Sequence, residues 1–162
     1  MNNTSPRCIA QYGFLITLGI LLNSYWLEFH KGILPCPLCT LQRLTFIVLA
    51  VLFAMGALSQ NQNKSLHRLL NGLVALFAIL GAWLAGRQVW LQWMPAAEKS
   101  DCGVSLQYLL NILPLDKALL KAINGSAECS QVTWTFWHLS LAEWSLSFFV
   151  LFALMSLYQL RK

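Results

Sequence analysis

The stretch CTLQRLTFIVLAVLFAMGAL, residues 39–58, decides the fold, because after Arg43 it contains no charged side chain. A helix rises about 1.5 Å per residue, so about 20 such residues cross a hydrocarbon core of about 30 Å. Charged residues make up only 10% of the chain, against about 25% in ordinary soluble domains. The stretch therefore predicts a membrane-spanning helix, with the long side chain of Arg43 reaching back to the interface.

Three further segments have the same apolar character, which gives predicted spans at about 9–28, 39–58, 69–91 and 143–160. The sequence predicts an all-α membrane protein, a four-transmembrane-helix bundle that forms one domain over residues 1–162. The first apolar run is longer than a signal-peptide core of about 7–15 residues, and no small-x-small cleavage site follows it. We therefore expect this run to remain as a helix.

A long loop, at about 95–142, connects the third and fourth spans and contains leucines at helical spacing on both sides of Pro114. The apolar positions are Leu106, Leu109, Leu110, Leu113, Ala118, Leu119, Leu120 and Ile123. Two interpretations are open, a small soluble cap or an interfacial helix whose apolar side chains dip into membrane lipid. The interfacial helix is favoured, because so small a loop has no other core in which to bury these side chains.

The charge distribution predicts the orientation of the bundle. All six acidic residues lie on the side opposite the termini: Glu28, Glu98, Asp101, Asp116, Glu128 and Glu143. The short segments on the terminal side carry basic residues and no acid: Arg7, Lys64, Arg68, Arg161 and Lys162. Because basic residues in short loops favour the cytoplasmic side, both termini are predicted to be cytoplasmic and the 95–142 loop periplasmic. The net charge of +5 follows from this topology, and no nucleic-acid partner is expected.

The cysteines agree with that orientation. Cys36, Cys39, Cys102 and Cys129 lie on the predicted outer side, and Cys8 lies at the cytoplasmic end. Disulfides persist in oxidising compartments such as the bacterial periplasm. Four cysteines on that face are typical of a protein that exchanges disulfides.

The motif Cys36-Pro37-Leu38-Cys39 stands immediately before the second span. Pro37 suits the first turn of a helix, because it has no N–H to donate. Cys39 then lies in the first turn, where backbone N–H groups and the helix dipole favour a thiolate. Arg43 follows four residues later, so we expect it to share a face with Cys39 and to stabilise that thiolate.

Structural interpretations of these residues remain open. The motif could be half of a zinc site, but Cys102 and Cys129 are too distant for common zinc spacings, so no metal is predicted. Cys102 and Cys129 enclose 26 residues, and a disulfide between them is either a staple or one member of a relay. Arg43 alone could be an interfacial anchor. A relay is favoured, because one pair lies at a helix end and the other in a loop on the same face.

The ordered set of motifs resembles the DsbB-type disulfide bond formation proteins. The set comprises the CxxC with Arg43, RQVWLQ at 87–92, Cys102, LPLDK at 113–117 and Cys129. The resemblance runs from Cys8 to the fourth span. It implies a quinone-dependent thiol oxidase of the bacterial inner membrane that reoxidises a periplasmic DsbA-like thioredoxin-fold protein. Its cofactor would be ubiquinone or menaquinone from the respiratory quinone pool.

The resemblance also implies roles for the four cysteines. The reduced partner would attack a Cys102–Cys129 disulfide, forming a mixed disulfide through Cys102. Cys129 would then exchange with Cys36, and Cys39 would remain as a thiolate beside the quinone.

Two further positions follow from the same resemblance. Arg43 would stabilise the thiolate and the charge that develops on the quinone, and Gln88, where family members often have histidine, is assigned with it to quinone binding. His138 and Ala142 also depart from the family, which tends to show glycine and proline between the last cysteine and the last-span tryptophan. The alternatives are a membrane scaffold with purely structural disulfides and an enzyme like vitamin K epoxide reductase.

Overall fold

The computed structural model describes residues 6–32, 35–59, 64–93, 110–124 and 135–161. Its elements in chain order are α1 (Pro6–Lys31), α2 (Pro37–Leu58), α3 (Lys64–Trp93), α4 (Leu115–Asn124), β1 (Thr135–Phe136), β2 (Leu139–Ser140) and α5 (Leu141–Leu160). Helices α1, α2, α3 and α5 are each long and apolar enough to cross a membrane. The prediction of an all-α protein with four membrane-spanning helices is confirmed.

The helices extend beyond the apolar segments from which they were predicted. Helix α3 has 30 residues and begins at Lys64, whereas the predicted span begins at 69. Hydropathy marks the part of a helix that crosses hydrocarbon, whereas the helix itself continues into the polar interface. Helix α3 therefore begins with a polar turn, Lys64–His67, that precedes its apolar segment.

Stacked phenylalanine rings lie at the centre of the hydrophobic core. Helix α1 lies along α2, α2 along α3, and α3 along α5. Phe46 of α2 stacks on Phe149 of α5 with ring centroids 4.1 Å apart. Phe53 and Phe152 join the same two helices edge to face, 5.2 Å apart. Because Gly81 of α3 faces the Phe149 ring directly, α3 and α5 approach closely at the centre of the bundle.

Large apolar side chains cover the outside of the spanning helices. Examples are Leu15, Leu22, Val51, Leu76 and Leu154, all exposed. In water such a surface would drive aggregation, whereas in a bilayer it contacts lipid tails. The protein is therefore a multi-pass membrane protein.

The connection from α3 to α5 contains the short helix α4 and the β1–β2 hairpin. Residues 110–112 are helical, and α4 follows Pro114 and lies against α2 with Ala118 fully buried. Leu115 and Leu120 of α4 are exposed, as an interfacial helix requires, and contact of α4 with lipid stays a prediction. Leu106 and Leu109, which the predicted helical spacing also included, lie outside the described residues.

A short hairpin precedes α5, which the all-α prediction did not include. Strands β1 and β2 pair antiparallel, with Phe136 opposite Leu139. Trp137 and His138 form the turn, both with positive φ, at 51° and 63°, where two-residue hairpins usually have Asn or Gly. Because that Asn-Gly signal is absent, a hairpin is not expected here from sequence. Trp144 of α5 donates from Nε1 to the Phe136 carbonyl, 3.1 Å away, and holds the hairpin against the helix.

Candidate functional site: the cysteine pair at the start of helix α2

The two cysteines of the CxxC motif are built into the N-terminus of α2. Cys36 is the N-cap, with extended backbone, and its Sγ accepts a hydrogen bond from the Cys39 backbone N–H at 3.2 Å. Pro37 occupies the first turn, where its missing N–H costs no helical hydrogen bond. Cys39 is therefore fixed in the first turn, at the positive end of the helix dipole.

The two sulfur atoms are in direct contact and sheltered by the bundle. The Sγ atoms of Cys36 and Cys39 are 2.8 Å apart. Leu84 and Leu91 of α3 pack against the buried cluster of Cys36 and Leu38. Cys36 is only 6% exposed, whereas Cys39 is half-buried. In this arrangement Cys39 offers the more accessible sulfur.

Gln88 of α3 brings a side-chain amide to the sulfurs. Its Nε2 donates to Cys39 Sγ at 3.1 Å and lies 3.6 Å from Cys36 Sγ. The sequence analysis assigned Gln88 to quinone binding, and that role stays a prediction. The structure adds a contact that the sequence analysis did not foresee, between this amide and the reacting atoms themselves.

Gln42 of α2 was missed by sequence reasoning and completes the site. Its Nε2 donates to Gln88 Oε1 at 2.7 Å, and both glutamines are 4% exposed. A buried amide without partners is costly, so the pair satisfies each side chain in an apolar core. The sequence contained one signal for Gln42. It lies three residues after Cys39 and four before Phe46, so this polar residue shares a helix face with two residues that point inward.

Arg43 lies four residues after Cys39, but the contacts of its guanidinium go to α1. Nη1 donates to Glu28 Oε2 at 2.6 Å, while Nε and Nη2 donate to Ser24 Oγ at 3.1 and 2.8 Å. The guanidinium carbon also lies 4.5 Å from the centre of the Tyr25 ring. Arg43 thus joins α1 to α2 with its charge balanced, and its stabilisation of the Cys39 thiolate stays a prediction.

Cys102 and Cys129, the other two predicted catalytic cysteines, lie outside the described residues. Their pairing and their distance from Cys36 therefore stay predictions.

Comparison with known proteins identifies the family. The family model described as "Disulfide bond formation protein DsbB" matches residues 6–159. Disulfide bond formation protein B of Xylella fastidiosa is 37% identical over 151 residues, covering 93% of this chain and 86% of that protein. Disulfide bond formation protein B 1 of Pseudomonas aeruginosa is 37% identical over 155 residues, covering 96% and 94%. The protein from Stutzerimonas stutzeri is 34% identical over 160 residues, covering 99% and 98%. With this agreement over nearly its whole length, the chain belongs to the DsbB family of disulfide bond formation proteins.

Proposed function

We propose that this protein oxidises the dithiol of a periplasmic, DsbA-like thioredoxin-fold protein and passes the two electrons to a membrane quinone. Family membership makes the chain a membrane disulfide-forming oxidoreductase. The observation that carries the finer proposal is the Cys36–Cys39 pair, whose sulfur atoms lie 2.8 Å apart at a helix N-terminus. Sulfur atoms at that distance need little movement to form or break a disulfide.

The proposed relay starts at the loop cysteines. A partner thiolate attacks Cys102 in a Cys102–Cys129 disulfide, which forms a mixed disulfide and releases Cys129 as a thiolate. Cys129 then attacks Cys36, which breaks the Cys36–Cys39 bond and releases Cys39 as a thiolate. Each step forms one S–S bond and breaks one, so no electrons are lost.

Two further exchanges complete the transfer to the helix pair. The second partner thiolate displaces Cys102 from the mixed disulfide, and the partner leaves oxidised. Cys102 then attacks Cys129, which restores the loop disulfide and releases Cys36. The two electrons from the partner now reside on Cys36 and Cys39 as a dithiol.

Arg43, four residues after Cys39 on α2, and Gln88, which contacts Cys39, carry N–H donors that suit a quinone head group. A bound quinone supplies the acceptor for two electrons and two protons, which returns Cys36 and Cys39 to a disulfide. Its carbonyl oxygens accept hydrogen bonds, and Arg43 and Gln88 are the donors that would hold them. Since Glu28 balances the charge of Arg43, a neutral head group would not leave an unpaired charge buried beside it. Ubiquinone and menaquinone both meet these requirements.

Burial adds a condition to the proposed relay. Cys36, the residue that Cys129 must reach, is only 6% exposed. Attack by a sulfur requires approach along the S–S axis, so the side chains packed around Cys36, such as Leu84 and Leu91, would have to move during exchange. Cys39 is half-buried, which suits a residue that would face a bound quinone.

The test is quinone reduction by the purified protein, followed by absorbance, with a reduced DsbA-like protein as electron donor and either ubiquinone or menaquinone as acceptor. We expect Cys39→Ser to abolish turnover, because the disulfide that receives the electrons cannot form. Arg43→Ala should lower turnover, whereas Ser24→Ala, which loosens Arg43 but keeps its guanidinium, should retain most of it. Cys8→Ser is the matched cysteine control at the other end of the bundle.

The opposite result would change the proposed function. If folded wild-type protein with an active donor reduces neither quinone, the quinone-linked relay is wrong. A scaffold with structural disulfides then becomes the better interpretation of the cysteines.

A further inference from the structure

We propose that Gln42 is a positioning residue that holds the Gln88 amide with its N–H toward Cys39, and that this amide stabilises the Cys39 thiolate during exchange. The inference rests on the proposed function, because the thiolate it concerns is the one that the relay releases. Gln88 then has a role toward the Cys39 sulfur in addition to any role toward a quinone. Gln42 acts only by orienting the Gln88 side chain.

Gln42 sets the direction of the Gln88 amide. A glutamine side chain has one acceptor end and one donor end, and either end could face the sulfurs. Gln42 donates to Gln88 Oε1 at 2.7 Å, which engages the acceptor end. The donor end, Nε2, therefore points to Cys39 Sγ, 3.1 Å away.

An N–H donor in that direction stabilises the thiolate form of Cys39 more than its thiol form. A thiolate has a full negative charge and only accepts hydrogen bonds, whereas a thiol gains less from a neutral donor. Gln88 is 4% exposed, so water competes little for the amide N–H. The hydrogen bond to the thiolate is therefore stronger than it would be in water. An amide does not titrate, so the donor is present at every pH at which the relay runs.

The contact between the Gln88 amide and Cys39 can be removed without changing any charged group. At the cysteine end of the bundle, the charged residues on α1 to α4 are Arg43 on α2, Glu28 and Lys31 on α1, Arg87 on α3, and Asp116, Lys117 and Lys121 on α4. Arg43 and Glu28 bind each other. Gln88 Nε2 donates a hydrogen bond to Cys39 Sγ and carries no charge. Replacing either glutamine by an uncharged residue leaves all of these charged groups in place.

The experiment measures the thiolate of Cys39 directly, by the pH dependence of its alkylation and of thiolate absorbance. The protein is the full chain in which Cys8, Cys36, Cys102 and Cys129 are replaced by serine, so that Cys39 is the single thiol. Serine at position 36 keeps an N-cap oxygen for α2. The variants are Gln88→Met, Gln42→Met and the double substitution, because methionine keeps the side-chain volume and removes the amide.

We expect Gln88→Met to raise the midpoint of the Cys39 titration by about one pH unit, which is a tenfold loss of thiolate at a given pH. Gln42→Met should shift it in the same direction, because the released Gln88 amide then turns its donor away for part of the time. The double variant should match Gln88→Met alone, since a positioning residue acts only through the group that it positions. In the protein with all five cysteines, both single variants should lose turnover near neutral pH and regain it as the pH rises.

Gln159→Met is the matched control. Gln159 Oε1 accepts from Asn71 Nδ2 at 3.2 Å, so the same substitution breaks an amide pair at the opposite end of the bundle and should not move the midpoint. If Gln88→Met does not fold, Gln88→Asn takes its place in the comparison. Asparagine is one methylene shorter, so its amide is withdrawn from the Cys39 sulfur.

Two results would overturn the inference. An unmoved midpoint in the Gln88 variant means that the amide does not stabilise the thiolate. Shifts that add in the double variant, or no shift for Gln42→Met, mean that Gln42 does not act through Gln88. The titration needs neither partner nor quinone, so it succeeds or fails separately from the turnover that tests the proposed function.

Discussion

Arg43 connects two helices through one guanidinium group. Its three nitrogen atoms bind Glu28 and Ser24, and its planar face lies on the Tyr25 ring. Only 14% of the side chain is exposed, so these contacts lie in a partly dehydrated environment where hydrogen bonds to a charge are worth more than at the surface. Arginine can make all of them at once, because its donors form a rigid fork, whereas lysine presents a single point charge.

Arg43→Lys should therefore destabilise the bundle although it keeps the charge. We expect the free energy of unfolding to fall by about 1–3 kcal/mol, because hydrogen bonds to Ser24 and the stacking on Tyr25 are lost. The measurement is thermal or denaturant unfolding in mild detergent. Arg7→Lys is the control, since Arg7 makes one exposed hydrogen bond to the Ser59 carbonyl and should change stability by less than about 0.5 kcal/mol. Equal stability of the Arg43 variant and the wild type would contradict the bridging role.

Sequence spacing could identify Cys39 and Arg43 but not their partners. Residues three or four apart lie on neighbouring positions of a helix, so the placement of Cys39 in the first turn of α2 followed from local rules alone. Gln42 and Gln88 are 46 positions apart, and Arg43 and Ser24 are 19 apart. Such pairs depend on which helix faces pack together, and one sequence does not reveal that. The spacing of Cys39 and Arg43 concerns α2 alone. The carboxylate of Glu28, a strong partner for the Arg43 guanidinium, comes from α1.

At the scale of elements, the contact between α3 and α5 depends on one residue without a side chain. Gly81 faces the ring of Phe149, which is fully buried and stacks on Phe46 of α2. A methyl group at position 81 would overlap that ring. Because the ring is fully buried and stacks on Phe46, it has little room to move.

Gly81→Ala should therefore lower stability, against the usual preference of helices for alanine. We expect a loss of about 1–3 kcal/mol from overpacking, measured as the unfolding midpoint in detergent. Gly72→Ala on the same helix is the control, because nothing lies within 4 Å of the added methyl group, and alanine should there leave stability unchanged or raise it by up to about 1 kcal/mol. If the two variants behave alike, the close contact of α3 with Phe149 is wrong.

The long helices could be predicted from the sequence, and the short elements between them only in part. An uncharged run of about 20 residues has one stable form in a bilayer, because its backbone groups must bond to each other. Helix α4 followed from leucines at helical spacing after Pro114. The hairpin could not be predicted, because its turn residues, Trp137 and His138, rarely adopt positive φ. Contacts with α5, such as that from Trp144 to the Phe136 carbonyl, stabilise the turn, and these are tertiary contacts.

At the scale of the whole molecule, the two ends of the bundle have different chemistry. One end carries the cysteine pair, the buried glutamines and the Arg43–Glu28 ion pair. The other carries the Arg7 hydrogen bond to Ser59 and the Asn71–Gln159 amide pair, with basic residues at its helix ends. A thiol oxidase of the proposed kind works only if the cysteine end meets an oxidising compartment, so the orientation of the chain decides its function.

The charge asymmetry predicts that the cysteine end faces the periplasm. Fusions of alkaline phosphatase after Leu58 and after Trp93 differ by one span, α3, and the enzyme is active only outside the cytoplasm. We expect activity after Trp93 and none after Leu58, because Arg7, at the same end of the bundle as Leu58 and present in both fusions, resists translocation. Green fluorescent protein fused after Lys162 should fluoresce, since it requires the cytoplasm to fold. The reverse pattern would place Cys36 and Cys39 in a reducing compartment, where the equilibrium favours their dithiol form and no disulfide would be delivered to a secreted partner.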